Sequence, residues 1–238
     1  MIYCVGVGPG DPELMTLKAV RIIREYEIIA VPLAVTGTSP RESLAYRIAL
    51  GSVPELADKE ILGLHLPMTR DEEVLRRKHR EAADLLEKRA ADGTDIAVLT
   101  LGDPAVYSTF SYIQELLRAD GFETGMVSGV TSFSAAAASL NMPLVKGEEE
   151  LRVIPAAGLT GDYLSSAGEA ALVLMKAGRQ MGRVKEVLEK AGRGAAAVEN
   201  CGMDNEVVCR SLQEIPGNAG YFTVVISKGG RLSGHLFT

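Results

Sequence analysis

The residues best suited to chemistry sit in turns that follow apolar runs. Ile96 to Leu101 is apolar apart from Thr100, the pattern of a strand covered on both faces. Gly102-Asp103-Pro104-Ala105-Val106-Tyr107 follows it. Gly102 lets the backbone turn or lie close to a ligand. Pro104 fixes its own φ and pushes Asp103 out of the helical region. Val106, Phe110, Ile113 and Leu117 then recur at helical spacing. The turn therefore lies at the carboxyl end of a strand in an open α/β sheet, where such sheets bind ligands. Asp103 and Tyr107 are the polar groups nearest to it, and either type can move a proton. Alone, Gly-Asp-Pro reads equally as an ordinary strand-to-helix turn with a cap.

Other turns have the same setting. Ile2 to Val7 is a short apolar run that ends in Gly8-Pro9-Gly10-Asp11-Pro12. Its glycines miss the dinucleotide fingerprint, because Gly-x-Gly-x-x-Gly from Gly6 would need a glycine at Asp11. Two prolines also remove N–H groups that a phosphate would use. Phe122 to Val127 leads into Ser128-Gly129-Val130-Thr131-Ser132, and Ala170 to Met175 ends in Lys176.

The elements that must carry these turns alternate through the first half. Helical spacing follows Pro12, then come a strand over 27–31, a loop over 32–40 and a short helix from Arg41 through Leu50. A strand over 59–64 and a long charged helix over 71–89 precede the strand before Gly102. That alternation predicts a mainly parallel sheet. Asp120-Gly121 is the expected boundary, giving α/β domains over 1–120 and 121–238. The second half adds a small-residue helix after Ser132, strands over 151–155, 170–176 and 195–200, and a helix marked by Val184, Val187 and Leu188. Strands over 206–210 and 221–227 end it, which predicts antiparallel pairing. His65 and His235 are scattered, and His79 on the charged helix is expected to face solvent.

The chain has 238 residues, 47% hydrophobic and 24% charged, with a net charge of −6. Such numbers suit a globular protein and argue against a general nucleic-acid binder. No apolar run approaches the length of a membrane span. Cys4, Cys201 and Cys209 are an odd set without metal-ligand spacing, so a structural metal is not expected. Reduced thiols and the lack of a secretory leader give a cytoplasmic reading.

Taken in order, the turns at Gly6–Asp11, Gly102–Pro104 and Ser128–Ser132, with Met175-Lys176, resemble the tetrapyrrole methylase family over essentially the whole chain. Within it the likeness is greatest to the branch that methylates C20 of precorrin-2 or cobalt-factor II in cobalamin synthesis. Gly102-Asp103-Pro104-Ala105-Val106-Tyr107-Ser108-Thr109-Phe110 is the most discriminating stretch; Ser128 departs from the proline usual before that glycine. The resemblance implies two α/β domains with S-adenosylmethionine folded in the cleft between them, and a homodimer. It implies cofactor contacts from Pro9, Gly102, Asp103, Ala105, Val106, Thr131, Ser132, Met175 and the neighbourhood of Cys201. The implied substrate is a reduced tetrapyrrole with many carboxylates. Net negative charge makes its attraction a local matter. Arg41 and Arg47, beside a strand-end loop, are the expected carboxylate contacts. Lys18, Arg21 and Arg24, spaced along one face of the first helix, are the next group. Asp103 and Tyr107 are the candidates to receive the proton that the methylated carbon loses. His65, just before Pro67-Met68, is positioned to face substrate. An NAD-type oxidoreductase and a non-enzymatic tetrapyrrole carrier are the readings from other classes.

Overall fold

The computed structural model describes residues 1–35 and 37–229, so Thr36 in the 32–40 loop and His235 lie outside the described residues. The chain forms two compact units, Met1–Thr131 and Ser132–Thr238.

The first unit is a five-stranded parallel sheet. Its strands are β1 (Ile2–Gly6), β2 (Ile28–Leu33), β3 (Glu60–His65), β4 (Ile96–Thr100) and β5 (Thr124–Val127), in the order β3-β2-β4-β1-β5. The intervening helices are α1 (Leu17–Glu25), α2 (Leu44–Ser52), α3 (Glu72–Ala90) and α4 (Phe110–Ala119). Strand residues alternate between two apolar layers. Ala97 and Leu99 of β4 join Ile22 and Ile23 of α1 and Ile48 of α2, whereas Ile96 and Val98 join Leu86 of α3 and Ile113 and Leu117 of α4. Both faces of the sheet are thus covered, which explains the unbroken apolar runs of its central strands.

Local chemistry fixes the helix ends. Thr16 caps α1, its hydroxyl accepting from the Ala19 amide at 3.2 Å. Asp71 caps α3 through the Glu73 and Val74 amides, and Lys88 and Arg89 occupy its last turn, where cations complement the helix dipole. Helix α2 starts at Leu44 rather than Arg41, because Pro40–Glu42 forms a separate 3₁₀ turn.

Two expectations fail here. Asp120-Gly121 is not the boundary. Gly121, at φ +88°, closes α4: its amide donates to Arg118 O and the Phe122 amide to Leu117 O, a helix-terminating motif. The chain then returns as β5, which pairs with β1 from Ile2↔Thr124 to Val5↔Val127, so the first unit runs to Thr131. His79 is not in solvent. It is 8% exposed, and its ring stacks on Tyr112 of α4 with centroids 5.1 Å apart. Arg80 beside it pairs with Asp84, Glu87 and Asp120 and ties α3 to the end of α4.

The second unit holds β6 (Leu151–Pro155), β7 (Ala171–Met175), β8 (Ala195–Glu199), β9 (Val207–Cys209) and β10 (Thr223–Ser227), in the order β6-β7-β10-β8-β9. Among the described residues β6 and β7 pair in parallel and the other pairs are antiparallel, as the strand-rich end predicts. Its helices are α5 (Ser132–Ser139), α6 (Gly161–Ala167) and α7 (Met181–Lys190). Helix α6 gave no periodic signal, having seven residues of which only Leu164 and Ala167 are buried.

Candidate functional site

The strand order of the first sheet reverses between β4 and β1. The chain leaves β1 through α1 on one face and leaves β4 through α4 on the other. Such a switch point is where open α/β sheets bind ligands. The turns after β1 and β4 meet there. The Gly102 amide donates to Gly8 O at 2.8 Å, and the Val7 amide to Thr100 O at 2.9 Å. Gly8 (φ +77°) and Gly102 (φ +66°) both take the left-handed conformation that glycine adopts without strain.

The turn after β5 packs on the same place. A Cβ on Gly6 would lie 2.5 Å from Gly102 O and 2.7 Å from the Gly129 nitrogen. Thr16 reaches over from the start of α1, its hydroxyl 3.2 Å from Ser128 O. Asp103 lies between two turns: one carboxylate oxygen accepts from the Ala105 amide at 2.7 Å, the other from the Gly129 amide at 3.1 Å. Both oxygens thus tie the Asp103 side chain to neighbouring turns. Beneath it, burial and the Asp103 charge push the Cys4 thiol far above its ordinary range, so it stays protonated.

Tyr107 differs. Its backbone holds φ +50°, a conformation that costs a bulky residue free energy, and its side chain is 45% exposed. This kink delays α4 to Phe110, where Ser108 Oγ accepts from the Phe110 amide at 3.2 Å and pairs with Thr100 Oγ1. Pro9 is buried, Val106 and Thr131 are half-buried, and Ala105 is exposed.

In the second unit, β7 and β8 both run antiparallel to β10 between them, so their carboxyl ends share one edge. Half-buried Met175 ends β7, followed by Lys176 at φ +58°; Asn200 follows β8 at φ +54°. Partial burial lowers the Lys176 pKa. Close packing recurs: a Cβ on Gly178 would lie 2.2 Å from Gly220 O, and the Gly220 amide donates to Glu199 at 3.0 Å. Cys201 is buried with its sulfur 3.6 Å from Ser139 Oγ. Glu206 accepts from the Gly202 amide at 2.6 Å and from Ser139 Oγ at 3.3 Å. Ser132 opens α5 and is half-buried.

The two arginines separate. Arg41, although exposed, donates its guanidinium to Tyr46 Oη at 2.7 Å and Ala57 O at 2.8 Å, with the Tyr46 ring 5.6 Å away. Its charge braces α2 against the turn before β3, which counts against the carboxylate clamp expected of it. Arg47 is exposed on α2. Arg21 and Arg24 face Glu25 and Glu55 on the surface, and Lys18 is exposed. His65 ends β3 opposite Leu33, half-buried on the carboxyl edge of the sheet. Sequence reasoning missed Thr16, Ser108 and Glu206 as turn anchors. Thr16 alone carried a signal, as a threonine directly before a helical pattern.

A family model described as Tetrapyrrole (Corrin/Porphyrin) Methylases matches residues 1–216. The chain belongs to this family. Among its relatives is a probable cobalt-precorrin-2 C(20)-methyltransferase of Methanocaldococcus jannaschii, 41% identical over 155 residues, 65% of this chain and 63% of that protein. A Mycobacterium tuberculosis protein named cobalamin biosynthesis protein CobIJ is 31% identical over 97% of this chain and 46% of its own length. The chain thus spans less than two thirds of both. A precorrin-2 C(20)-methyltransferase of Sinorhizobium is 29% identical over 94% of each chain. Two solved structures share the fold of the tetrapyrrole methylases. A cobalt precorrin-4 methyltransferase, CbiF, aligns with a TM-score of 0.72 at 20% identity, over 96% of this chain and 94% of that one. A uroporphyrin-III C-methyltransferase of Thermus thermophilus, complexed with S-adenyl homocysteine, aligns at 0.67 and 23%, over 95% and 96%.

Proposed function

We propose that this tetrapyrrole methylase transfers a methyl group from S-adenosylmethionine to C20 of precorrin-2 or cobalt-factor II, in cobalamin synthesis. The observation that carries the reading is the meeting of three glycine turns at the switch point of the first sheet, in a chain related end to end to a precorrin-2 C(20)-methyltransferase. S-adenosylmethionine supplies an electrophilic methyl group on a cationic sulfur. The residues present suit such a group: glycine backbone packed without side chains, and hydroxyls at Thr131 and Ser132.

On this reading, Pro9, Gly102, Ala105, Val106 and Thr131 of the first unit contact the methyl donor, as does the backbone of Asp103, whose carboxylate is taken up by the Ala105 and Gly129 amides. Family resemblance adds Ser132, Met175 and the Cys201 turn of the second. The protein contributes position and electrostatics, since an electron-rich ring carbon needs no nucleophilic side chain. Tyr107, exposed on its strained turn, is the group proposed to receive the proton that C20 loses. Arg47 is the proposed carboxylate contact. The same resemblance extends to a homodimer, while cysteine usage, net charge and the short apolar runs favour a cytoplasmic protein without metal, nucleic acid or membrane as partner. Three buried free cysteines suit a reducing compartment, and among the described residues no helix is long and apolar enough to cross a membrane.

Incubation with precorrin-2 or its cobalt form plus S-adenosylmethionine tests the proposal. The pigment is expected to gain the mass of one CH2, a methyl group replacing the hydrogen lost from C20, with S-adenosylhomocysteine released in equal amount. Pigment bound while the donor is not consumed would identify a carrier instead.

A further inference from the structure

The Asp103 carboxylate links two of the turns that meet at the switch point. Its first oxygen makes a local turn with the Ala105 amide at 2.7 Å. Its second reaches the Gly129 amide at 3.1 Å, across from the turn after β4 to the turn after β5. On the other side of that turn, the Thr16 hydroxyl meets Ser128 O at 3.2 Å. One peptide unit, Ser128–Gly129, is therefore gripped at its carbonyl by α1 and at its amide by the β4 turn. It has no freedom to move toward β4 either, because Gly129 already lies against Gly102 O. Two residues beyond it stands Thr131.

We propose that Asp103 is a positioning residue: with Thr16 it clamps the Ser128–Gly129 peptide and so sets where Thr131 stands relative to the Gly102 turn. This deepens the methyltransferase reading and rests on it. A carboxylate suits this place because both of its partners are N–H donors. An amide in its place would turn an NH₂ group toward one of them. Hydrogen bonds to a charged group are stronger than neutral ones, so the clamp weakens in Asp103→Asn even though the shape is kept.

The test measures methyl transfer and calorimetric binding of S-adenosylhomocysteine for wild type, Asp103→Asn, Thr16→Val, Thr16→Ser and the Asn/Val double variant. Wild-type binding and turnover come first, and their absence would count against the function rather than the clamp. With both present, Asp103→Asn is expected to weaken S-adenosylhomocysteine binding and raise the donor KM, each on the order of tenfold. Turnover at saturating donor falls less than KM rises, and its pH profile keeps the wild-type limbs. Thr16→Val shows the same signature more weakly, Thr16→Ser restores it, and the double variant loses less than the two single changes combined. If Asp103→Asn instead binds S-adenosylhomocysteine as wild type does while turnover and its pH limb vanish, Asp103 is a proton acceptor and the proposal falls. Additive effects at Thr16 and Asp103 also overturn it. Should Asp103→Asn not fold, the Thr16 pair decides: a donor KM unmoved by Thr16→Val refutes the clamp.

Discussion

A Cβ on Gly129 would lie 2.1 Å from the carbonyl oxygen of Gly102, closer than any side chain can approach. The turns after β4 and β5 are therefore packed backbone to backbone. Gly129→Ala must push them apart. It is expected to cost about 1–3 kcal/mol of stability, as overpacking does, and to weaken S-adenosylhomocysteine binding. Gly182→Ala is the control: it lies in α7 with nothing near its missing Cβ, and should stabilise by roughly 0.4–1 kcal/mol. Thermal unfolding and calorimetry of the two variants check both statements. Unchanged affinity in Gly129→Ala would remove this packing from the binding site.

The two arginines give opposite expectations. Arg41→Met removes hydrogen bonds to Tyr46 and Ala57 and should lower stability by about 1–2 kcal/mol while the tetrapyrrole KM stays near wild type. Arg47→Met should leave the melting temperature in place and raise that KM, more at low salt than at high. Steady-state kinetics at two ionic strengths distinguish them. An unmoved KM in Arg47→Met passes the clamp to Lys18, Arg21 and Arg24.

Arg193 tests the second unit. It is 8% exposed and donates to the carbonyls of Gly168 at 2.8 Å and Ala170 at 2.6 Å, and to Ser227 Oγ at 3.3 Å. Burial lowers its pKa, yet it remains charged. Arg193→Met leaves the Gly168 and Ala170 carbonyls without this donor and should cost about 2–3 kcal/mol in denaturant unfolding. Arg193→Lys should recover only part, since one ammonium cannot span the fork. Full recovery by lysine would show that charge alone matters.

His79 sets a pH dependence. Burial lowers its pKa below the ordinary 6.5, so the unfolded chain binds the proton more readily than the native one. Its contribution to stability is complete above pH about 6.5 and is lost as pH falls through the window between the unfolded and native values. His79→Phe keeps the ring against Tyr112 and removes the titration. The wild type should lose more melting temperature than this variant between about pH 7 and pH 5. Parallel curves would exclude His79 as the source.

Much of this was legible in the residues. The parallel strands showed as apolar runs because they are buried on both faces, and the strand-end turns showed as glycines. What sequence could not give was pairing. Asp120-Gly121 looked like a boundary because a helix terminator and a linker use the same residues; only the pairing of β5 with β1 separates them. Arg41 and Arg47 are equivalent on paper, and the carbonyls that capture Arg41 come from a turn sixteen and more residues later. Asp103 read as a candidate acid or base because a carboxylate's hydrogen-bond partners, here an amide from another strand's turn, are tertiary facts. Helix α6 is too short to register a period.

The central claim is the position of methyl transfer. Its most direct test is incubation with precorrin-2, and separately cobalt-factor II, with S-adenosylmethionine carrying carbon-13 in its methyl group, followed by NMR of the pigment. The account predicts one labelled methyl, attached to C20, in at least one of the two pigments. Label at any other ring carbon, or no label in either pigment while S-adenosylhomocysteine still binds, would contradict it.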